Sequence, residues 1–285
     1  MNRFLLLLTT SLLAVSIVSA QDTVLLKGPY QPDSKYKYSI LRDVGLNIQF
    51  DADSSLLNRM KSRGVVNPLM ENDTIRSEAI ITTGGTATDG RFPLTSEISF
   101  INNNMLSGEK IVLYGKATSS TVPELDSLSI APPPKGPAPV KEQMLQVLKN
   151  MFRYSQPPRH TFHIGDTASG DIAMPMNLFG IQMKLKIHSI YKLISIENNI
   201  ASFNMDYVIG MDITGTQNVI ADGNGSGSGN GNFTYDVVNK FFPVTESNIQ
   251  MQARVQFYNP EENQHIKMNM EEKMHSVVRN EKLFQ

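Results

Sequence analysis

In the second half of the chain an apolar side chain recurs at every second position, over run after run. The stretch "IQMKLKI" (181–187) aligns Ile181, Met183, Leu185 and Ile187. "FNMDYVIGMDI" (203–213) aligns Phe203, Met205, Tyr207, Ile209, Met211 and Ile213. "IQMQARVQF" (249–257) does the same with Ile249, Met251, Ala253, Val255 and Phe257, and "IKMNMEEKM" (266–274) with Ile266, Met268, Met270 and, across Glu272, Met274. Side chains alternate with period 2 on a strand and 3.6 on a helix, so only strands put each set on one face. Asn198-Asn199 and "NPEEN" (259–263) supply turns between successive runs, which predicts an antiparallel meander.

Between two of these runs lies "ADGNGSGSGNGNFTYD" (221–236). Its composition is that of a flexible linker, but its phase is that of a strand. Gly223, Gly225, Gly227, Gly229 and Gly231 share one parity, and Phe233, Tyr235 and Val237 continue it. Glycine weakens a strand through backbone entropy, so a glycine row needs a compensating reason. A row without side chains lets a helix or ligand approach the backbone, or lets the sheet bend sharply. The stretch lacks the Gly-Lys-Ser/Thr ending of a phosphate-binding loop.

The first half offers shorter strands: "KYKYSI" (35–40), "LNIQF" (46–50), "EAIITT" (78–83), "LTSEISFI" (94–101) and "EKIVLYGKA" (109–117). Residues 119–140, rich in Pro and Ser, read as an extended, poorly packed linker. After it, Met144, Leu145, Leu148, Met151 and Phe152 take helical spacing, and Pro157-Pro158 ends the run. The expected fold is therefore mainly β: curved antiparallel sheets, open barrel or sandwich-like, in two β-rich halves with one amphipathic helix between them. The divisions are 1–20, 21–118, 119–158 and 159–285, with the helix packed on the concave face. Whether the halves make one sheet or two is open at this point.

Residues 1–20, "MNRFLLLLTTSLLAVSIVSA", have the positive start, apolar run and small-residue end of a secretory signal peptide. Export to the periplasm or the exterior follows. The absence of cysteine excludes a lipid-bearing lipobox cysteine and any disulfide, so a packed core must carry stability. Without Arg3 the basic residues number 25 against 27 acidic ones, a net charge of −2 with no Lys/Arg cluster. Nucleic acid is thus not an expected partner. No later segment reaches the ~18 consecutive apolar residues of a transmembrane helix.

Motifs for chemistry are few. His160 and His163 of "HTFH" point to opposite faces of a strand and cannot share a metal. Met268, Met270, Met274 and His275 are donors of the kind that suit Cu(I), but the methionines continue an apolar face and core packing accounts for them. No cofactor or metal is expected. No G-x-S-x-G elbow and no cysteine nucleophile is present.

"KYKYSI", the helix running to Pro-Pro, "HIGD" (163–166), the long alternating strands and "GNGNFTYD" (229–236) together resemble a family of uncharacterised exported proteins of Gram-negative bacteria, catalogued as a domain of unknown function. The resemblance implies a periplasmic, mainly β fold and no catalytic residues. The function expected is that of a non-enzymatic binding or envelope-scaffolding protein, whose partner is an apolar, lipid-like ligand or an envelope protein. Gly225, Gly227, Gly229, Met205, Met211, Met251 and Met268 are the candidate groove-lining residues. The alternatives are a hydrolase of envelope material and an outer-membrane β-barrel.

Overall fold

A computed structural model describes residues 23–101, 110–119, 121–131, 145, 149, 160–178, 181–216, 219–259 and 264–283. The expected signal peptide lies outside the described residues, as does all of the expected central helix but Leu145 and Lys149. Those two carry helical backbone.

Eleven strands form one antiparallel sheet. In chain order the strands are β1 (Thr23–Leu25), β2 (Lys35–Asp51), β3 (Leu69–Thr83), β4 (Phe92–Phe100), β5 (Lys110–Thr118), β6 (Thr121–Ala131), β7 (Thr161–His163), β8 (Thr167–Leu178), β9 (Ile181–Glu197), β10 (Ile200–Thr216), β11 (Val219–Asp236), β12 (Val244–Asn259) and β13 (Gln264–Leu283). The sheet order is β6-β5-β4-β3-β2-β13-β12-β11-β10-β9-β8. It is two meanders joined where β13 pairs with β2 from Lys267–Asp51 to Leu283–Lys35. The halves are therefore one continuous sheet with two free edges, β6 and β8.

β1, β7 and β8 fall outside the runs expected from the sequence, and three further elements differ from that reading. "KYKYSI" and "LNIQF" are one strand, because Arg42 and Val44 carry the parity of Ile40 straight into Leu46. Residues 121–131 of the expected linker are the edge strand β6, whose Leu125 and Leu128 are buried against Ile111 and Leu113 of β5. Register shifts at Tyr114/Gly115 and Lys116/Thr118 break the alternation that would have marked it. A nine-residue helix, α1 (Ser54–Ser62), follows β2; Asp53 caps it by accepting from the Leu56 amide at 2.8 Å.

The turns follow local chemistry. Asn198 and Asn199 both have positive φ, 51° and 65°. They form the two-residue turn whose twist matches a hairpin, joining Glu197 of β9 to Ile200 of β10.

The two largest packed clusters lie on the apolar face at one end of the sheet, while Ile209, Ile213, Ala253 and Val255 are buried toward the other. The two-stranded β1–β7 ribbon crosses that face, burying Val24, Leu26 and Phe162 against Leu193, Phe203, Phe233 and Tyr235. Phe203 stacks on Phe233 at 4.6 Å and meets Phe162 edge-on at 5.1 Å. Beside this, Tyr30 and Phe241 pack with Tyr36, Ile81, Phe92 and Leu94. Leu145 is packed against the third cluster, on β5 and β6.

Candidate functional site

Regular register from β9 to β2 lines residues up in rungs across the apolar face. One rung is Leu185–Met211–Gly225–Ala253–Met270–Ile48. The next is Ile187–Ile209–Gly227–Met251–Glu272–Leu46, and the one after it Ser189–Tyr207–Gly229–Ile249–Met274–Val44. All seven sequence-picked residues share this face. Met205, Met211, Met251 and the three glycines lie together on β10, β11 and β12. Met268 stands on β13, opposite Val255 and Phe50. Met205 is buried; Met211, Met251 and Met268 are half-buried.

The glycine row marks a sharp bend. A Cβ on Gly227 would lie 2.6 Å from the Gln250 carbonyl oxygen and one on Gly229 2.5 Å from that of Asn248. Side chains never come that close to a neighbouring strand's carbonyls in a flat sheet. The seam between β11 and β12 folds toward the apolar face, and only glycine permits it. The space immediately over the glycines is taken by neighbours on the same face: Met211 beside Gly225, Met251 beside Gly227, Ile249 and Tyr207 beside Gly229. The sheet's own bend thus uses the clearance that the sequence left to either a helix or a guest. Tyr207 donates a hydrogen bond to Met205 Sδ at 3.2 Å. Burial, with Tyr191 nearby, pushes its hydroxyl up to about 12.

One rung turns polar on β12, β13 and β2 before the aromatic core begins. One step beyond Gly229, the rung reads Tyr191–Met205–Gly231–Ser247–Ser276–Arg42. Ser276 is buried, and the Arg42 Nε is buried with no hydrogen-bond partner. Sequence reading missed Arg42, because "LRDVG" separated two apparent strands. The signal was present: Arg42 keeps the parity of Tyr36, Tyr38 and Ile40.

The other face is polar. A twisted sheet is hollow along one diagonal on each side, and here a shallow trough of about 700 Å³ lies over Asp43, Asn72, Asp206, Asn248 and Lys273. Thr74 donates to Asp43 at 2.7 Å, and His275 Nε2 lies 3.2 Å from Glu246 Oε1. Lys186 bonds Asp212 at 2.8 Å, holding that carboxyl below its ordinary range. Among the described residues no group of three or more His, Asp or Glu is placed to hold a metal ion, and no helix is long and apolar enough to cross a membrane.

No family model matches the chain, and no curated protein matches it. Among solved structures it is similar to OpdO of Pseudomonas aeruginosa, at 6% identity over 89% of this chain and 98% of that one, with a TM-score of 0.25. It is similar also to the outer membrane protease OmpT of Escherichia coli, at 6% identity over 88% and 98%, TM-score 0.23. A mutant porin of Rh. blastica is a third, at 8% identity over 86% and 100%, TM-score 0.22. Likenesses at such TM-scores do not establish a common fold or activity.

Proposed function

We propose that this is an exported, non-enzymatic binding protein of the cell envelope that holds an apolar, lipid-like ligand against the bent apolar face of its sheet. One observation carries the reading. At the end of the face away from the β1–β7 ribbon, Met211, Met251, Met268, Met270 and Phe50 are only half-buried, whereas the opposite face of the same strands is lined with Asn, Gln, Lys and Asp. Half-buried methionines on a bent sheet adapt to ligands of varied outline. Native mass spectrometry with lipid analysis of protein purified from its own envelope tests the proposal. Co-purified acyl chains support it; an empty monomer overturns it and leaves a scaffolding role.

A second reading, an outer-membrane β-barrel, draws on the strand lengths. β2, β9, β10, β11, β12 and β13 have 16 to 20 residues, more than the ~9–11 that span a bilayer. A polar lumen and an apolar outer face suit such a barrel; against it stands the bend at the glycine row, which folds the sheet toward its apolar face and so curves it the opposite way. Solubility without detergent after removal of residues 1–20 excludes the barrel. A requirement for detergent supports it.

A further inference from the structure

The apolar face carries a single cation among the described residues of these strands, on β2, two strands from the bent β11–β12 seam. From β9 through β13 to β2 and β3, the inward parity between the rung of Phe50 and the rung of Ile40 contains no Lys or Arg except Arg42, among the described residues. Its neighbours are Ile40 and Val44 along β2, Ile75 across on β3 and Ser276 across on β13. The Arg42 side chain makes no ion pair or hydrogen bond among the described residues; its Nε is shut away from solvent, and the residue as a whole is half-buried. A guanidinium cannot shed its proton to escape burial. With Nε unpaired beside Ile40, Val44 and Ile75, the buried part of the group carries a desolvation penalty that an anion would relieve.

We infer that Arg42 is the head-group anchor of the site, and that the ligand is a long-chain carboxylate. This rests on the binding function proposed above and names its ligand class. One guanidinium balances one negative charge, and its planar fork matches the two oxygens of a carboxylate. The Ser276 and Ser247 hydroxyls, on the same rung, stand ready as further donors. From that rung the acyl chain runs over Ile249, then over Met251, toward the half-buried Met211, passing on the β12 side of Glu272. The tyrosines Tyr191 and Tyr207 also stand on this face; its acids are Glu272, Asp73 and Glu71. All three are acids on the rungs toward the half-buried end, so they repel a carboxylate there and direct the head group inward to Arg42.

The test titrates the delipidated full chain with oleate and with oleyl alcohol, following displacement of a fluorescent fatty acid. Oleate is expected to bind about 10- to 100-fold tighter than the alcohol, the scale of a charge-assisted hydrogen-bond pair. Arg42→Gln should remove that preference, while Arg42→Lys retains part of it. Equal binding of the two amphiphiles by the wild type overturns the anchor but leaves apolar binding standing. Binding of neither overturns both readings. The wild-type comparison needs no variant. If Arg42→Gln does fold, its melting temperature without ligand should equal or exceed that of the wild type. A clear drop makes Arg42 a structural residue and overturns the inference.

Discussion

Gly227 on β11 faces Met251 on β12 so closely that a Cβ added to the glycine would lie 2.8 Å from Met251 Cγ and 2.6 Å from the Gln250 carbonyl oxygen. The backbone, not a flexible side-chain tip, sets the limit. Gly227→Ala should therefore destabilise by about 1–3 kcal/mol, as overpacking does. Gly210→Ala is the control: its nearest atom, Lys186 Cβ, stands 4.0 Å away, so the change should be neutral or slightly stabilising. Urea midpoints of the two variants check the contrast, and equal midpoints contradict the bend.

The ribbon end should be the stiff end. Phe162 is fully buried and meets Phe203 edge-on. Phe162→Ala should cost about 3–5 kcal/mol and loosen β1, whose Val24 pairs with it. Hydrogen exchange at residues 23–26 and the thermal midpoint measure both effects.

The β9–β10 turn makes a sharper, local prediction. Asn199 has φ 65°, a region that costs most side-chain-bearing residues about 1–2 kcal/mol. Asn199→Gly should be tolerated, whereas Asn199→Val should lose that amount in a denaturant titration.

Alkali should expose the buried tyrosines. Tyr30, packed edge-on against Tyr36, has its hydroxyl pushed up to about 12 by burial, from 10.0. The unfolded chain ionises first, so the stability this group contributes is full below pH 10 and is lost as pH rises toward 12. Tyr30→Phe should flatten the decline over that window, read as the thermal midpoint against pH. An unchanged slope contradicts the burial.

Acid acts on the turn after β7. Asp166 accepts from the His163 backbone amide at 2.8 Å, and the His163 ring stands 3.1 Å away; these contacts hold its carboxyl below the ordinary 3.8. Its contribution is present above 3.8 and disappears as pH falls through the lowered value. Asp166→Asn should make the acid limb of the stability curve shallower.

How much was legible depended on whether one periodicity ran unbroken. β10, β12 and β13 announce themselves because a strand buried on one face must alternate, and the glycine strand kept its neighbours' phase. α1 stayed hidden since it buries only Leu56 and its apolar spacing, Leu56, Leu57 and Met60, spans little more than one turn; Asp53 before Ser-Ser-Leu and Gly64 after it were its cues. β6 was concealed by Pro123 and by bulges in its pairing with β5. At the site, methionine and glycine positions followed from parity. Arg42 did not, because a charged residue on an apolar parity looks like a break until the neighbouring strands show the register continuing through it.

β13 is made late and is needed in the middle. Lys35 must wait for Leu283 before the two halves can lock together. Until then a growing chain carries two half-built sheets, each with a bare flank at β2 or β12 that invites pairing with a stranger. Closing so long a loop is slow, and the delay falls when the exposed flanks are longest. Such a polypeptide keeps both flanks open until β13 slots between them.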